Sequence, residues 1–196
     1  MSTNRTSAEN SADTTSTTPT TTSSTPLPSF LRIYTVTNPL LGNMGLSGAD
    51  AACMADPKYP GIGTYKAMMS VPGVRQACST ANCSGSGINE NIGWVLLQNM
   101  EYRRSIDSST VIFTTNASAI FVFGTLTNSV DSFFNGLQWT GLNNNWTNGD
   151  NCTNWTQTTG DGVLGRSDLT NLNMLGSGTS VCTSSGRPYC VEQHNN

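Results

Sequence analysis

Six cysteines constrain this chain more than any other residue type. They stand at positions 53, 78, 83, 152, 182 and 190, and no two of them form a C-x-x-C pair. A zinc site needs closely spaced thiolate or imidazole ligands, and a redox dithiol needs C-x-x-C. The single histidine is His194, in the terminal tail, so neither chemistry is expected. An even number of cysteines among Asn-, Thr- and Gly-rich loops instead favours three disulfides formed in an oxidising compartment. Six cysteines allow fifteen pairings, so the connectivity needs a second line of reasoning.

The sequence divides by composition. Residues 1–29 are almost entirely Ser, Thr, Ala, Asn and Pro. Such a segment cannot bury enough apolar surface to offset its ordering entropy, and it is expected to be a disordered linker. Aromatic and β-branched residues reach globular density from about Phe30 onward. Residues 30–193 are expected to form one domain, followed by a polar tail at 194–196. Net charge is −3, charged residues are only 11% of the chain, and Arg103-Arg104 is its one basic doublet. Nucleic-acid binding depends on neutralising phosphates and is therefore not expected. No apolar run is long enough to span a bilayer. Polar residues follow Met1 where a signal peptide would carry an apolar core, so an exported form is expected to have lost its signal.

Within the body, "FLRIYTVT" (30–37) reads as a first strand. "GLSGADAACMAD" reads as a helix with Ser47 as N-cap, ending at Asp56 because Pro57 follows. "GTYKAMMSV" returns as a strand. "CSTANCSGSG" is a small-residue loop whose two cysteines can close a local ring. "IGWVLLQ" and "STVIFTT" read as strands, with "AIFVFG" a third apolar run and "NMEYRRSID" a polar connection. Residues 138–173 are mostly Asn, Thr, Gly and Trp, and regular structure is expected to be scarce there. "RPYCVEQ" reads as a last strand. If the first and last strands pair, Cys53 on the early helix can reach Cys190, 137 positions away. Cys152–Cys182 would then pin the loop region, and Cys78–Cys83 would be local. On the chain-entropy model the long bond stabilises by roughly 5 kcal/mol.

That pattern, a long bond from an early helix to the final strand with a nested bond in the second half, resembles the C-type-lectin-like fold. "GLSGADAACM", "GTYKAMMS", "LQWTG", "DNCTNW" and "VCTSSGRPYCVEQ" are similar, in order and approximate spacing, to segments of collagen-derived endostatin. "WVLLQNMEYRRSIDSSTVIFTTNASAIFVF" resembles the bacterial branch, the leptospiral endostatin-like surface proteins. The resemblance implies an α+β, C-type-lectin-like domain with short strands, one or two helices and a long disulfide-stapled irregular loop. It also implies an outer-membrane lipoprotein or secreted protein, held to the membrane only through a lipid anchor that is absent from this sequence. The implied role is that of a non-enzymatic adhesin. Its partners would be host extracellular-matrix proteins such as laminin and fibronectin, complement regulators or plasminogen. Endostatin's zinc site and heparin face do not transfer: no histidine precedes His194, and the nine basic residues are scattered. No cofactor is expected.

The candidate binding surface is residues 143–173. Trp139, Trp146 and Trp155 are candidate aromatic contacts, as aromatics are at interface hot spots, with Trp146 the expected anchor; the alternative is that they fill the loop's own small core. Asn143, Asn144 and Asn145 are candidate polar contacts. Asp150, Asp161 and Asp168 offer oxygens to a hard cation, although the Glu-Pro-Asn, Gln-Pro-Asp and Trp-Asn-Asp signatures of calcium-dependent lectins do not occur. A calcium-assisted or Trp-mediated carbohydrate-binding module is therefore the alternative reading. Tyr102, Arg103 and Arg104 are expected on a solvated hairpin. Catalysis is not expected, because no carboxylate pair has diagnostic spacing and His194 lies where nothing would orient it. The sequons at Asn116, Asn145 and Asn154 read as Asn/Thr-rich loop in a bacterial surface protein.

Overall fold

A computed structural model of the chain describes Met1 and residues 26–132 and 136–194. The expected linker lies mostly outside these residues, as does the tail beyond His194. The chain runs β1 (Leu31–Thr35), β2 (Leu40–Leu41), α1 (Gly45–Ala55), β3 (Thr64–Ala67), β4 (Glu101–Arg104), β5 (Val111–Thr114) and β6 (Leu137–Trp139). It continues through α2 (Cys152–Trp155), β7 (Asp161–Arg166), β8 (Gly178–Val181), β9 (Ser185–Gly186) and β10 (Tyr189–Gln193). The class is α+β, with a five-stranded sheet in the order β3-β10-β1-β4-β5, a three-stranded sheet β6-β7-β8 and a two-stranded sheet β2-β9.

The first and last strands do pair. β1 and β10 are antiparallel, with Tyr34 opposite Cys190. α1 lies along the β3 edge, where Asp50 Oδ1 accepts a hydrogen bond from Ala67 N (2.8 Å) and Arg75 grips the same carboxylate with both terminal nitrogens at 2.8 Å. This seat brings Cys53 to within 5.5 Å of Cys190, Cα to Cα, and the disulfide closes. Cys78–Cys83 and Cys152–Cys182 are the other two bonds. The helix starts earlier than expected. Met44 is its N-cap, with no side-chain cap, and Ser47 lies inside the first turn. Asp56 ends it, and its carboxylate accepts from Thr37 N (2.6 Å), Thr37 Oγ1 (3.0 Å) and Lys58 N (2.9 Å), locking the helix exit to the chain after β1.

Because side chains alternate across a strand, β1 feeds two cores. Ile33 joins Met68, Tyr102, Phe113, Phe121, Trp146 and Val191 on one side of the sheet. Tyr34 joins Cys53, Tyr65, Trp139, Trp155, Leu164 and Cys190 on the other. The three-stranded sheet packs tightly over its neighbours. A Cβ on Gly165 of β7 would stand 2.0 Å from Met174 O, so only glycine lets the 172–174 turn cross there.

The middle of the chain departs from expectation. "IGWVLLQ" forms no strand, yet Val95 and Leu96 are buried. "AIFVFG" is also irregular, with Ile120 and Phe121 in the core. The polar connection instead contains β4, an interior strand parallel to β1 and antiparallel to β5, with Tyr102 fully buried. β4 and β5 are the arms of the expected hairpin, and its half-buried arginines also find partners within the fold. Arg103 pairs with Glu101 at 2.6 Å and lies over the Phe30 ring (4.2 Å), while Arg104 donates to the carbonyls of Ser129 (2.7 Å) and Val130 (3.1 Å).

One buried carboxylate organises the loop that carries Cys78 and Cys83. Glu90 Oε2 accepts from Ser79 N (2.8 Å) and Thr80 N (2.7 Å), and Oε1 accepts from Gly85 N (2.9 Å) and Ser86 N (2.8 Å), with the hydroxyls of Ser79 and Thr80 adding to the set. Burial alone would raise its pKa. The hydrogen bonds from Ser86, Thr80 and Ser79 outweigh that and hold it at about 2 instead of the usual 4.5. A folded pKa below the unfolded one means stability that is present above about pH 4.5 and lost as pH falls toward 2. In Glu90→Gln, the amide nitrogen faces two backbone donors in either orientation. The variant is expected to melt below the parent at pH 7, with the gap shrinking as the pH is lowered from about 4.5 to about 2. Melting curves across that range check this, and a gap independent of pH contradicts it.

Candidate functional site: the outer face of the three-stranded sheet

The Asn- and Thr-rich region is ordered by its own tryptophans. Trp139, Trp146 and Trp155 are all fully buried. Each indole N–H has an internal acceptor: Trp139 to Leu40 O (2.9 Å), Trp146 to Phe121 O (3.2 Å) and Trp155 to Ser70 O (3.0 Å). Trp146 is enclosed edge-on by Phe121 (4.6 Å between centroids), with Phe123 (6.0 Å) and Trp94 (6.2 Å) around it. An interface anchor needs a ring face open to the partner, and none of the three has one. The anchor role expected of Trp146, and sugar stacking by any of these rings, are corrected accordingly.

What holds Trp155 inward is an unusual backbone. Cys152, Thr153, Asn154 and Trp155 all have positive φ (52°, 54°, 59° and 61°), so α2 is a single left-handed turn. That conformation costs about 1–2 kcal/mol per non-glycine residue. It is sustained by Asn151, whose carbonyl accepts from Trp155 N (2.7 Å) and whose Oδ1 accepts from Asn154 N (3.0 Å), by the Trp155–Ser70 bond and by Cys152–Cys182.

With the tryptophans inside, the loop's polar residues form the surface. Asp161 and Val163 of β7 share one face by strand alternation, with Val181 and Thr179 of β8 opposite them. Asn143 and Asn144 join Val163 and Thr179 around a concavity of about 140 Å³. Asn143 Nδ2 is fixed by Thr147 Oγ1 (3.1 Å) and Asn148 O (2.9 Å). A Cβ on Gly176 would stand 2.7 Å from Asn144 Oδ1, so the concavity depends on that glycine. Asp150 adjoins the face through its carbonyl, which accepts from Val163 N (2.8 Å). The Asp150 and Asp161 carboxylates are exposed and have no side-chain partner among the described residues.

Two candidates fall elsewhere. Asn145 is turned inward, its Oδ1 accepting from Thr147 Oγ1 (2.6 Å) and its carbonyl from Asn82 N (2.7 Å). Asp168 is taken up by Arg166, at 3.1 Å and 2.6 Å. That hydrogen-bonded guanidinium holds its carboxyl below the usual carboxylate range. Among the described residues, no three His, Cys, Asp or Glu side chains stand together to hold a metal ion.

A larger cleft of about 710 Å³ was not legible in the sequence. It lies between the 57–60 turn, the β4–β5 turn and residues 130–132. Pro57, Tyr59, Pro60 and the 86%-exposed Ile106 give it an apolar lining, and the Lys58–Asp131 ion pair (2.8 Å) crosses it. Its residues come from three separated segments, and no motif links them.

Among families, the model of a protein of unknown function, DUF1554, matches residues 35–173. No curated protein matches. The matched segment holds Cys53 and Cys152, while their partners Cys190 and Cys182 lie beyond it. A match over this much of the sequence, from the end of β1 through the left-handed turn and β7, makes the chain a member of the DUF1554 family.

Proposed function

We propose that this domain is a surface-displayed adhesin of C-type-lectin-like, endostatin-like architecture. In this reading it binds host extracellular-matrix proteins (laminin or fibronectin), complement regulators or plasminogen, without chemistry. The observation that carries the reading is a disulfide-clamped scaffold presenting one polar face whose carboxylates, Asp150 and Asp161, have no internal partner. Five of the other described carboxylates are held in ion pairs, and Asp56, Glu90 and Asp107 accept hydrogen bonds from nearby N–H and O–H groups, which makes the two unpartnered acids of this face distinctive. A rigid scaffold displays an irregular surface at low ordering cost on binding. Three disulfides accord with an oxidising, extracytoplasmic setting. The resemblance to leptospiral endostatin-like proteins supplies the partner class. The carbohydrate alternative loses its stacking platform to the burial of the three tryptophans.

Surface plasmon resonance of the full chain over immobilised laminin, fibronectin, complement regulators and plasminogen, in EDTA, tests this. Saturable binding to at least one is expected. The double variant Asp150→Lys with Asp161→Lys should weaken it about tenfold or more, with the melting temperature nearly unchanged, because both sites are exposed. Absence of binding to every partner overturns the proposal.

A further inference from the structure

An unpaired sheet edge offers backbone N–H and C=O groups to any extended chain, and proteins usually blunt such edges. The two larger sheets have four edges, and three are closed from within. At β3, Ala67 N donates to Asp50 Oδ1 (2.8 Å) and Tyr65 N to Met54 Sδ (3.2 Å). At β5, Ile112 O accepts from Thr127 N (2.8 Å) and Val111 O from Asn128 Nδ2 (2.8 Å). At β6, Trp139 N donates to Arg187 O (3.1 Å) and Leu137 O accepts from Arg187 N (2.9 Å). The fourth edge is β8, which pairs with β7 alone among the described residues.

The phase of the β7–β8 ladder shows which groups face outward. Val163 sends its N–H to Asp150 O (2.8 Å) and receives Thr140 N (3.1 Å) and Gly141 N (3.2 Å) at its carbonyl, all on the side away from β8. Val163 and the opposed Thr179 are therefore a non-hydrogen-bonded pair, and both backbone groups of Thr179 point out of the sheet. By the same alternation Val181 N–H points outward, while its carbonyl accepts from Ser184 N (2.8 Å). Gly178, Thr179 and Val181 are exposed, Val181 to 55%.

We propose that the free edge of β8 captures an extended, basic segment of a partner protein as an added strand. This rests on the adhesin reading and names the chemistry of its partner. The backbone of such a segment meets Thr179 and Val181. Its side chains on the outer face pass over Val181 toward Asp161, about 10 Å or two strand spacings away, within reach of lysine or arginine. Asp161 and Asp150 make this face acidic, and the nearest β7 cation, Arg166, is already held by Asp168. At the other end of the edge, the concavity beside Asn143 and Asn144 accepts a small side chain.

The probe is an end-blocked octapeptide of alternating lysine and threonine, with a glutamate-for-lysine peptide as control, added to the isotopically labelled full chain. Amide exchange at Thr179 and Val181 is expected to slow severalfold with the lysine peptide and not with the control. Asp161→Asn should weaken binding about threefold to tenfold. Thr179→Pro removes an N–H the fold does not use, which sheet edges tolerate, and should weaken binding at least tenfold. Equal binding by Thr179→Pro, protection appearing elsewhere or equal binding of the glutamate peptide overturns the proposal. Should Thr179→Pro fail to fold, the exchange pattern of the unsubstituted protein decides. Matrix-protein binding without any peptide effect refutes the edge alone, whereas peptide binding without matrix or plasma-protein binding refutes the adhesin reading alone.

Discussion

Trp146→Ala is expected to destabilise the domain by about 3–5 kcal/mol, the usual cost of truncating a buried aromatic to alanine. The indole is fully buried, its N–H is bonded to Phe121 O, and it fills the space between Phe121, Phe123 and Trp94. Removing it opens a cavity in the core that also holds Ile33, Tyr102 and Val191, and it leaves the Phe121 carbonyl without its donor. For a domain of this size, 1 kcal/mol corresponds to roughly 2–4 °C in melting temperature, so the thermal transition of the oxidised protein should fall by roughly 6–20 °C. A melt unchanged by the substitution, as an exposed anchor would give, contradicts the burial. Any loss of partner binding in this variant is then a consequence of lost structure.

The second large effect belongs to the long disulfide. Cys190→Ser is expected to cost about 2–5 kcal/mol, the range for native disulfides in small secreted domains. Residues 53 and 190 are 137 positions apart, so the bond removes much of the unfolded chain's freedom. Both sulfurs are fully buried, and the variant leaves a thiol and a hydroxyl in an apolar layer beside Tyr34 and Tyr65. β10 lies between β1 and β3, so loosening its bond to α1 loosens the centre of the sheet. Cys78→Ser with Cys83→Ser provides the contrast. Its ring spans 5 positions, and the same chain-entropy relation gives only about 2 kcal/mol. Melting of the two variants should rank in that order, and the reverse ranking would count against the long clasp.

The residues that fixed the architecture were legible because their signals are local and strong. The run LRIYT at 31–35, the short YCVEQ at 189–193, the helix broken at Pro57, and cysteines on that helix and last strand all point to one pairing, and that pairing is present. β4 was missed because Glu101, Arg103 and Arg104 look solvated, and only the tertiary fold supplies Phe30, Ser129 and Val130 to receive the arginines. "IGWVLLQ" misled for the opposite reason. Val95 and Leu96 are buried by irregular backbone, and burial without periodicity does not specify a strand. Of the two readings of the tryptophans, core filling holds and the exposed anchor does not, because an Asn/Thr/Gly-rich segment by itself reads as surface. Four successive left-handed residues at 152–155 are imposed by the disulfide and by the Ser70 carbonyl, which no local propensity announces. Of the polar candidates, Asn143, Asn144, Asp150 and Asp161 lie on one face, while Asn145 and Asp168 are engaged internally.

The proposed binding face needs the cysteines to fix the loop region and the chain ends to one another, so their pairing is the most direct test. Proteolysis of the unreduced protein followed by mass spectrometry should yield three linked peptides, joining Cys53 to Cys190, Cys78 to Cys83 and Cys152 to Cys182. Any other linkage, or a free thiol at one of these positions, would contradict the scaffold on which the proposed binding face depends.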